Sequence, residues 1–123
     1  MADPQSDDLR GRRLLVVEDE YMIAADLARA LEDRGADVIG PAGCMQDALA
    51  LLSAEEQIDG AVLDINLRGE QSYPIADALR ARGVPFVFAT GYDAWAIPET
   101  YVGVPRMEKP VNTRALARLL SRE

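Results

Sequence analysis

Four apolar runs of the chain end in residues that can do chemistry. Leu14-Leu15-Val16-Val17 stops at Glu18-Asp19-Glu20, Gly60-Ala61-Val62-Leu63 at Asp64, Val84 to Ala89 at Thr90-Gly91, and a run from Val104 at Lys109-Pro110. Each has a bland reading alone, because Asp and Thr are common in caps and turns. Solvated loops have no reason to supply acid, acid, hydroxyl and ammonium at four successive run ends. Ligand chemistry in open parallel α/β sheets collects outside the carboxyl ends of the strands, so these groups would share one edge. Three carboxylates gathered within about 4 Å repel by roughly 4 kcal/mol per pair at an effective dielectric of 20, so the group calls for a cation. With no His in the chain and a single cysteine, Cys44, the ligands are hard oxygens, which favour Mg²⁺. A bound Mg²⁺ recruits phosphate oxygens, and this points to phosphoryl chemistry. One carboxylate can then attack a phosphoryl group to form an acyl phosphate, with Lys109 and the Thr90 hydroxyl holding the remaining oxygens.

The elements that must position these residues follow from hydrophobic period. The short β-branched runs read as strands buried on both faces. Between them, Ile23, Leu27, Ala30 and Leu31 recur at helical spacing from Tyr21 to Arg34, with Gly35 as the stop. Asp37 to Pro41 gives a brief second strand ended by Pro, and Met45, Ala48, Leu49 and Leu52 mark a second helix. A third helix carries Pro74 in its first turn, then Ile75, Ala78 and Leu79, and ends at Arg82-Gly83. Val104 to Lys109 is the last strand, and Leu116, Leu119 and Leu120 mark a closing helix over Asn112 to Arg122. Between Tyr92 and Pro105 the pattern breaks: Pro98, Gly103 and Pro105 interrupt it, while Trp95, Ile97, Tyr101 and Val102 are too apolar for a solvated loop. Strand and helix alternate five times. The expected fold is α/β, a flavodoxin-like doubly wound (βα)5 parallel five-stranded sheet with a short or irregular fourth helix.

Size and charge narrow the function. At 123 residues the chain is read as one domain over 12–123 behind a polar, disordered arm at 1–11, with output passing through a partner. A net charge of -8, from 21 acidic and 13 basic residues, argues against nucleic acid. No stretch approaches the roughly 18 apolar residues of a membrane span. The polar N-terminus resembles no targeting peptide, and one cysteine fits a reducing cytoplasm. The absence of His removes Ser-His and Cys-His nucleophiles and phosphohistidine chemistry on this chain.

Glu18-Asp19, Asp64, Thr90 and Lys109-Pro110, in this order on these strands, resemble the receiver domain of two-component response regulators. Their spacings also suit that family: 45 residues from 19 to 64, 26 from 64 to 90, and 19 from 90 to 109. Phe88-Ala89-Thr90-Gly91-Tyr92, after Asp64-Ile65-Asn66-Leu67, is similar to the "FAT GUY" subgroup of receivers, which are often stand-alone proteins. The resemblance implies that Asp64 is the phosphoacceptor, that Asp19 and Asp64 ligate Mg²⁺ directly, Glu18 through water and Asn66 through its backbone carbonyl. It implies that Thr90 and Lys109 bind the acyl phosphate and that the bond before Pro110 is cis. It also implies a histidine kinase or phosphotransfer protein as phosphoryl donor and a downstream protein target, with the chain a signalling phosphoprotein rather than an enzyme.

Two features depart from the family pattern. Arg106 stands three residues before Lys109, where receivers usually carry the Tyr or Phe whose inward rotation follows the Thr. The irregular segment replaces a regular fourth helix, and Tyr92, Trp95, Tyr101 and Arg106 are its candidate partner surface, with Trp95 and Tyr101 equally suited to core packing. Two alternatives stand beside the receiver reading. One is a small aspartyl-phosphate phosphatase, which would need a second catalytic Asp where Asn66 stands. The other is a phosphorylation-independent adaptor that keeps only the fold.

Overall fold

The computed structural model describes residues 8–91 and 97–121. Five strands, β1 (Arg13–Val17), β2 (Asp37–Ala42), β3 (Gly60–Asp64), β4 (Phe86–Thr90) and β5 (Arg106–Glu108), form one parallel sheet in the order β2-β1-β3-β4-β5. The helices are α1 (Tyr21–Asp33), α2 (Met45–Ala54), α3 (Tyr73–Ala81) and α4 (Thr113–Leu120). This is the flavodoxin-like doubly wound fold that the alternating pattern predicts. Between β4 and β5 the described residues hold only a 3-10 turn, Glu99–Tyr101.

Successive side chains of a strand point to opposite faces, so each buried strand feeds two cores. Leu15, Val17, Leu63, Phe86 and Phe88 join Leu52, Ile75 and Leu79 under α2 and α3. Leu14, Val16, Val62, Val87 and Ala89 join Leu27, Leu31, Leu116 and Leu120 under α1 and α4. In α1 the buried stripe is Ala24, Leu27, Ala28 and Leu31, rotated slightly from the expected one: Ile23 and Ala30 are only partly buried. Gly35 ends that helix at φ 99°, and a Cβ there would lie 2.5 Å from Arg10 Cγ, so the position needs glycine for conformation and for space. Arg82 closes the C-terminus of α2 from the neighbouring helix, donating to the carbonyls of Leu52, Glu55 and Glu56, groups that a helix end leaves without partners.

Three expectations are corrected. The disordered arm does not reach residue 11, because Leu9 is fully buried and its amide donates to the Arg34 carbonyl; residues 1–7 lie outside the described residues. Pro41 does not end β2, which runs on to Ala42; β2 is an edge strand, where a missing N–H costs no ladder bond. Tyr101, a candidate for the partner surface, is a core residue, 5% exposed. Its ring stacks on Tyr73 at 5.0 Å, meets Phe88 edge-on at 5.8 Å and lies under the Arg80 guanidinium. Its hydroxyl donates to Asp77. Burial, with the Asp77 bond adding to it, pushes that hydroxyl up to about 12. Arg106 is exposed as expected, whereas Tyr92 and Trp95 lie outside the described residues.

Because Tyr101 anchors the β4–β5 connection to α3, Tyr101→Ala is expected to cost about 3 kcal/mol of unfolding free energy, the size of a large-to-small core change. Tyr101→Phe, which loses only the hydroxyl's bond, should cost about 1 kcal/mol. Urea denaturation followed by circular dichroism measures both.

Candidate functional site

Parallel strands that start level also end level, and the register of this sheet brings the four run ends to one edge. Val17 lies beside Leu63, Asp64 beside Ala89, and Thr90 beside Glu108. Glu18 and Asp19 therefore leave β1 next to Asp64 at the end of β3, and Lys109 leaves β5 on the far side of β4. Carboxylate oxygens of Glu18, Asp19 and Asp64 all lie within 4.8 Å of one another.

The groups are held in different ways. Lys109 Nζ bridges Glu18 Oε1 and Asp64 Oδ1, each at 2.8 Å. Glu18 is buried, and its second oxygen accepts the Glu20 amide at 3.0 Å. Asp19 Oδ2 accepts the Arg68 amide at 2.9 Å. Asp64 is 2% exposed, and its Oδ2 accepts no hydrogen bond from any described residue. Burial, followed by the neighbouring Glu18, pushes the Asp64 carboxyl up to about 8 against the pull of Lys109. Asp19 is likewise pushed up by burial, but the Arg68 amide, its carboxylate neighbours and Lys109 outweigh this and hold it below its ordinary value. Burial lowers Lys109, and its two carboxylate partners more than offset that, so the ammonium is held charged.

A cleft of about 270 Å³ opens over this cluster, lined by Asp19, Asp64, Asn66, Arg68 and Lys109 among others. A buried carboxylate oxygen with no donor among the described residues, two further carboxylates within reach and an open cleft above them fit a hard divalent cation with oxygen ligands. Thr90 ends β4 at the same edge, but its hydroxyl donates to the Met107 carbonyl at 3.4 Å rather than joining the acids. Asn66 faces the cleft from a short hairpin, Asn66–Leu67 paired with Glu70–Gln71, and its side chain accepts the Gly69 amide at 3.0 Å. The Lys109–Pro110 peptide is cis, as expected; Gly40–Pro41 is cis as well.

The sequence reading missed two residues here. Ser72 occupies the N-cap position of α3, yet its hydroxyl donates to the Asp64 carbonyl at 2.5 Å instead of capping the helix. Its place before Tyr73-Pro74 signals only a helix start. Arg68 forms a hairpin turn with Gly69, and a turn without the usual Asn-Gly or Asp-Gly pair carries little signal.

Fold and site together define a doubly wound α/β domain with an acidic pocket at the carboxyl edge of its sheet. No family model matches the chain. Known proteins do. SdrG from Sphingomonas melonis Fr1 is 38% identical, with 94% of this chain and 98% of that one aligned at a TM-score of 0.71; SdrG has also been solved in a BeF3-activated conformation. A response regulator from Burkholderia pseudomallei, solved with a phosphorylated aspartic acid, a calcium ion and citrate, is 28% identical at a TM-score of 0.77, covering 89% of this chain and 66% of that one. The phyllosphere-induced regulator PhyR of Methylorubrum extorquens is 32% identical over 97 residues, 77% of this chain and 34% of its own length. The chain belongs to the response-regulator receiver family. It spans less than half the length of the curated relatives it matches. Among the described residues no helix is long and apolar enough to cross a membrane.

In protein stripped of divalent ions and held above pH 8, where the Asp64 carboxyl has lost its proton, Asp64→Asn is expected to raise stability by more than about 1 kcal/mol, since it removes one like charge and leaves the Lys109–Glu18 pair intact. A carboxyl raised in the folded state holds its proton more tightly there than in the unfolded chain, so wild type loses stability as pH climbs from near 4 to about 8. The advantage of the Asn variant should therefore grow over that window and then level off. Thermal unfolding across pH in EDTA measures it.

Proposed function

We propose that the chain is a phosphoryl-accepting switch of two-component signalling, with Asp64 as the phosphoacceptor. The observation that carries this reading is the buried Asp64 carboxylate, with one oxygen unbonded by any described donor and the other against the Lys109 ammonium. An Asp64 oxygen attacks the phosphorus of a partner's phosphohistidine. The P–N bond breaks, and its electron pair returns to the imidazole nitrogen, which takes up a proton. The product is an acyl phosphate on Asp64.

Asp19, Asp64 and the Asn66 carbonyl would hold Mg²⁺, with Glu18 contributing through water. When bound, Mg²⁺ offsets negative charge on the carboxylates and the transferring phosphoryl group. Lys109 already contacts the acceptor oxygen and neutralises charge that builds on the phosphoryl oxygens. The Thr90 hydroxyl, two strands away from Asp19, exchanges its long bond to Met107 for a phosphoryl oxygen. The modified side chain gains a charge near -2, which shifts a conformational equilibrium read by a downstream protein. Exposed Arg106, together with Tyr92 and Trp95, is assigned to that partner surface. The chain has the role of a signalling domain rather than a turnover enzyme, and hydrolysis of free phosphate esters is not expected.

Intact-mass analysis after incubation with acetyl phosphate should show one added phosphoryl group on wild type when Mg²⁺ is present. EDTA or Asp64→Asn should abolish it, and Lys109→Ala should slow it by about a hundredfold, the scale of losing one charge-stabilising donor. Stoichiometric labelling of the Asn variant would overturn the assignment of Asp64. A transfer profile against purified phosphorylated histidine kinases then identifies the donor.

A further inference from the structure

The hairpin after β3 turns on a residue that suits such a turn poorly. Arg68 and Gly69 have φ of 51° and 87°, with Leu67 opposite Glu70 and Asn66 opposite Gln71. Two-residue loops of this kind favour Asn, Asp or Gly at their first position. Among the described residues Arg68 is the one non-glycine residue with positive φ. Asn66 Oδ1 secures the turn by accepting the Gly69 amide. The Arg68 amide is directed at the acid cluster, donating to Asp19 Oδ2 at 2.9 Å. This bond fixes the rotation of the Asp19 carboxylate through the main chain rather than through a side-chain rotamer alone.

Arg68 is exposed and helps line the cleft it shares with Asp19, Asp64, Asn66 and Lys109, and one nitrogen of its guanidinium lies near Gly43 in the β2–α2 loop. Three acids against one ammonium leave the cleft negative, in a chain whose net charge is already -8. A small anionic phosphoryl donor meets a net negative molecule even when Mg²⁺ offsets the acids of the cleft, and a cation beside the opening lowers that repulsion. Arg68 supplies such a charge, which its guanidinium keeps at any working pH.

We propose that Arg68 is a positioning residue of the phosphoryl-acceptor site: its amide sets the orientation of Asp19, and its guanidinium, beside the β2–α2 loop next to the cleft, draws in small anionic phosphoryl donors. The inference rests on the reading of Asp64 as acceptor. Arg68→Asn keeps the amide and suits the left-handed turn, Arg68→Lys keeps the charge, and Gly69→Ala strains the turn where a Cβ would meet no other atom. Labelling by acetyl phosphate at low salt should be about tenfold slower in Arg68→Asn and near wild type in Arg68→Lys, with the difference vanishing at high salt. Calorimetric titration with Mg²⁺, which requires no labelling, should show affinity weakened about tenfold in Gly69→Ala and not weakened in Arg68→Asn. Should Gly69→Ala fail to fold by circular dichroism, Asn66→Ala releases the same turn while keeping the main-chain carbonyl. Wild-type labelling rates in Arg68→Asn at low salt would overturn the role of the guanidinium. Unchanged Mg²⁺ affinity in the strained-turn variant would overturn the role of the amide. If wild type itself takes no label, the acceptor reading of Asp64 falls, and the Mg²⁺ titrations still decide whether the turn holds Asp19.

Discussion

The constraint on which this molecule depends is like-charge crowding at the end of β3. Asp64 is buried beside Glu18 and Asp19, and the ammonium of Lys109 reaches two of the three. Repulsion of this kind is tolerable only if the backbone forces the groups together, because side chains on flexible loops would separate. The parallel register supplies that force. Two hydrophobic cores hold β1, β3 and β4 side by side, and the acids cannot part unless strands slip against buried Leu, Val and Phe side chains.

The same crowding explains why the site looks unfinished. A polar atom left without a partner in a packed interior is expensive, and among the described residues none donates to the buried Oδ2 atom of Asp64. Stability given up at that oxygen is recovered elsewhere, in the deep burial of Leu14, Leu15, Leu63 and Phe88. The edge of the sheet keeps reactivity where the middle of the sheet keeps cohesion.

Much of this was legible in sequence because period and strand end are written in residue type. Buried parallel strands read as continuous apolar runs, so Asp64, Thr90 and Lys109 stand out as the places where the runs stop. The fold followed from alternation, and the acid cluster from the order of those stops. The side of α1 that faces the sheet was less legible: Ala24 and Ala28 are buried ahead of Ile23, since close approach to the sheet favours small side chains that carry little hydrophobic signal. Leu9 and Tyr101 were obscured differently. Each is an apolar residue in a polar or broken stretch, and its burial depends on partners distant in sequence, Arg34 for the one and Tyr73 with Asp77 for the other. The Arg68 bond to Asp19 left no trace because its donor is a main-chain amide, which every residue but proline owns.

The Ser72 hydroxyl on the Asp64 carbonyl has a consequence for how receivers can be recombined. Ser72 begins α3, the next residue, Tyr73, stacks on Tyr101, and Tyr101 belongs to the stretch before β5. The end of β3, the start of α3 and the β4–β5 connection are thus stitched into one mechanical unit. A chimera that transplants only the 97–104 connection from another receiver would bring a ring unmatched to Tyr73. Exchange of surfaces between such proteins has a natural seam on either side of this block, and the 64–73 and 97–104 stretches should travel together.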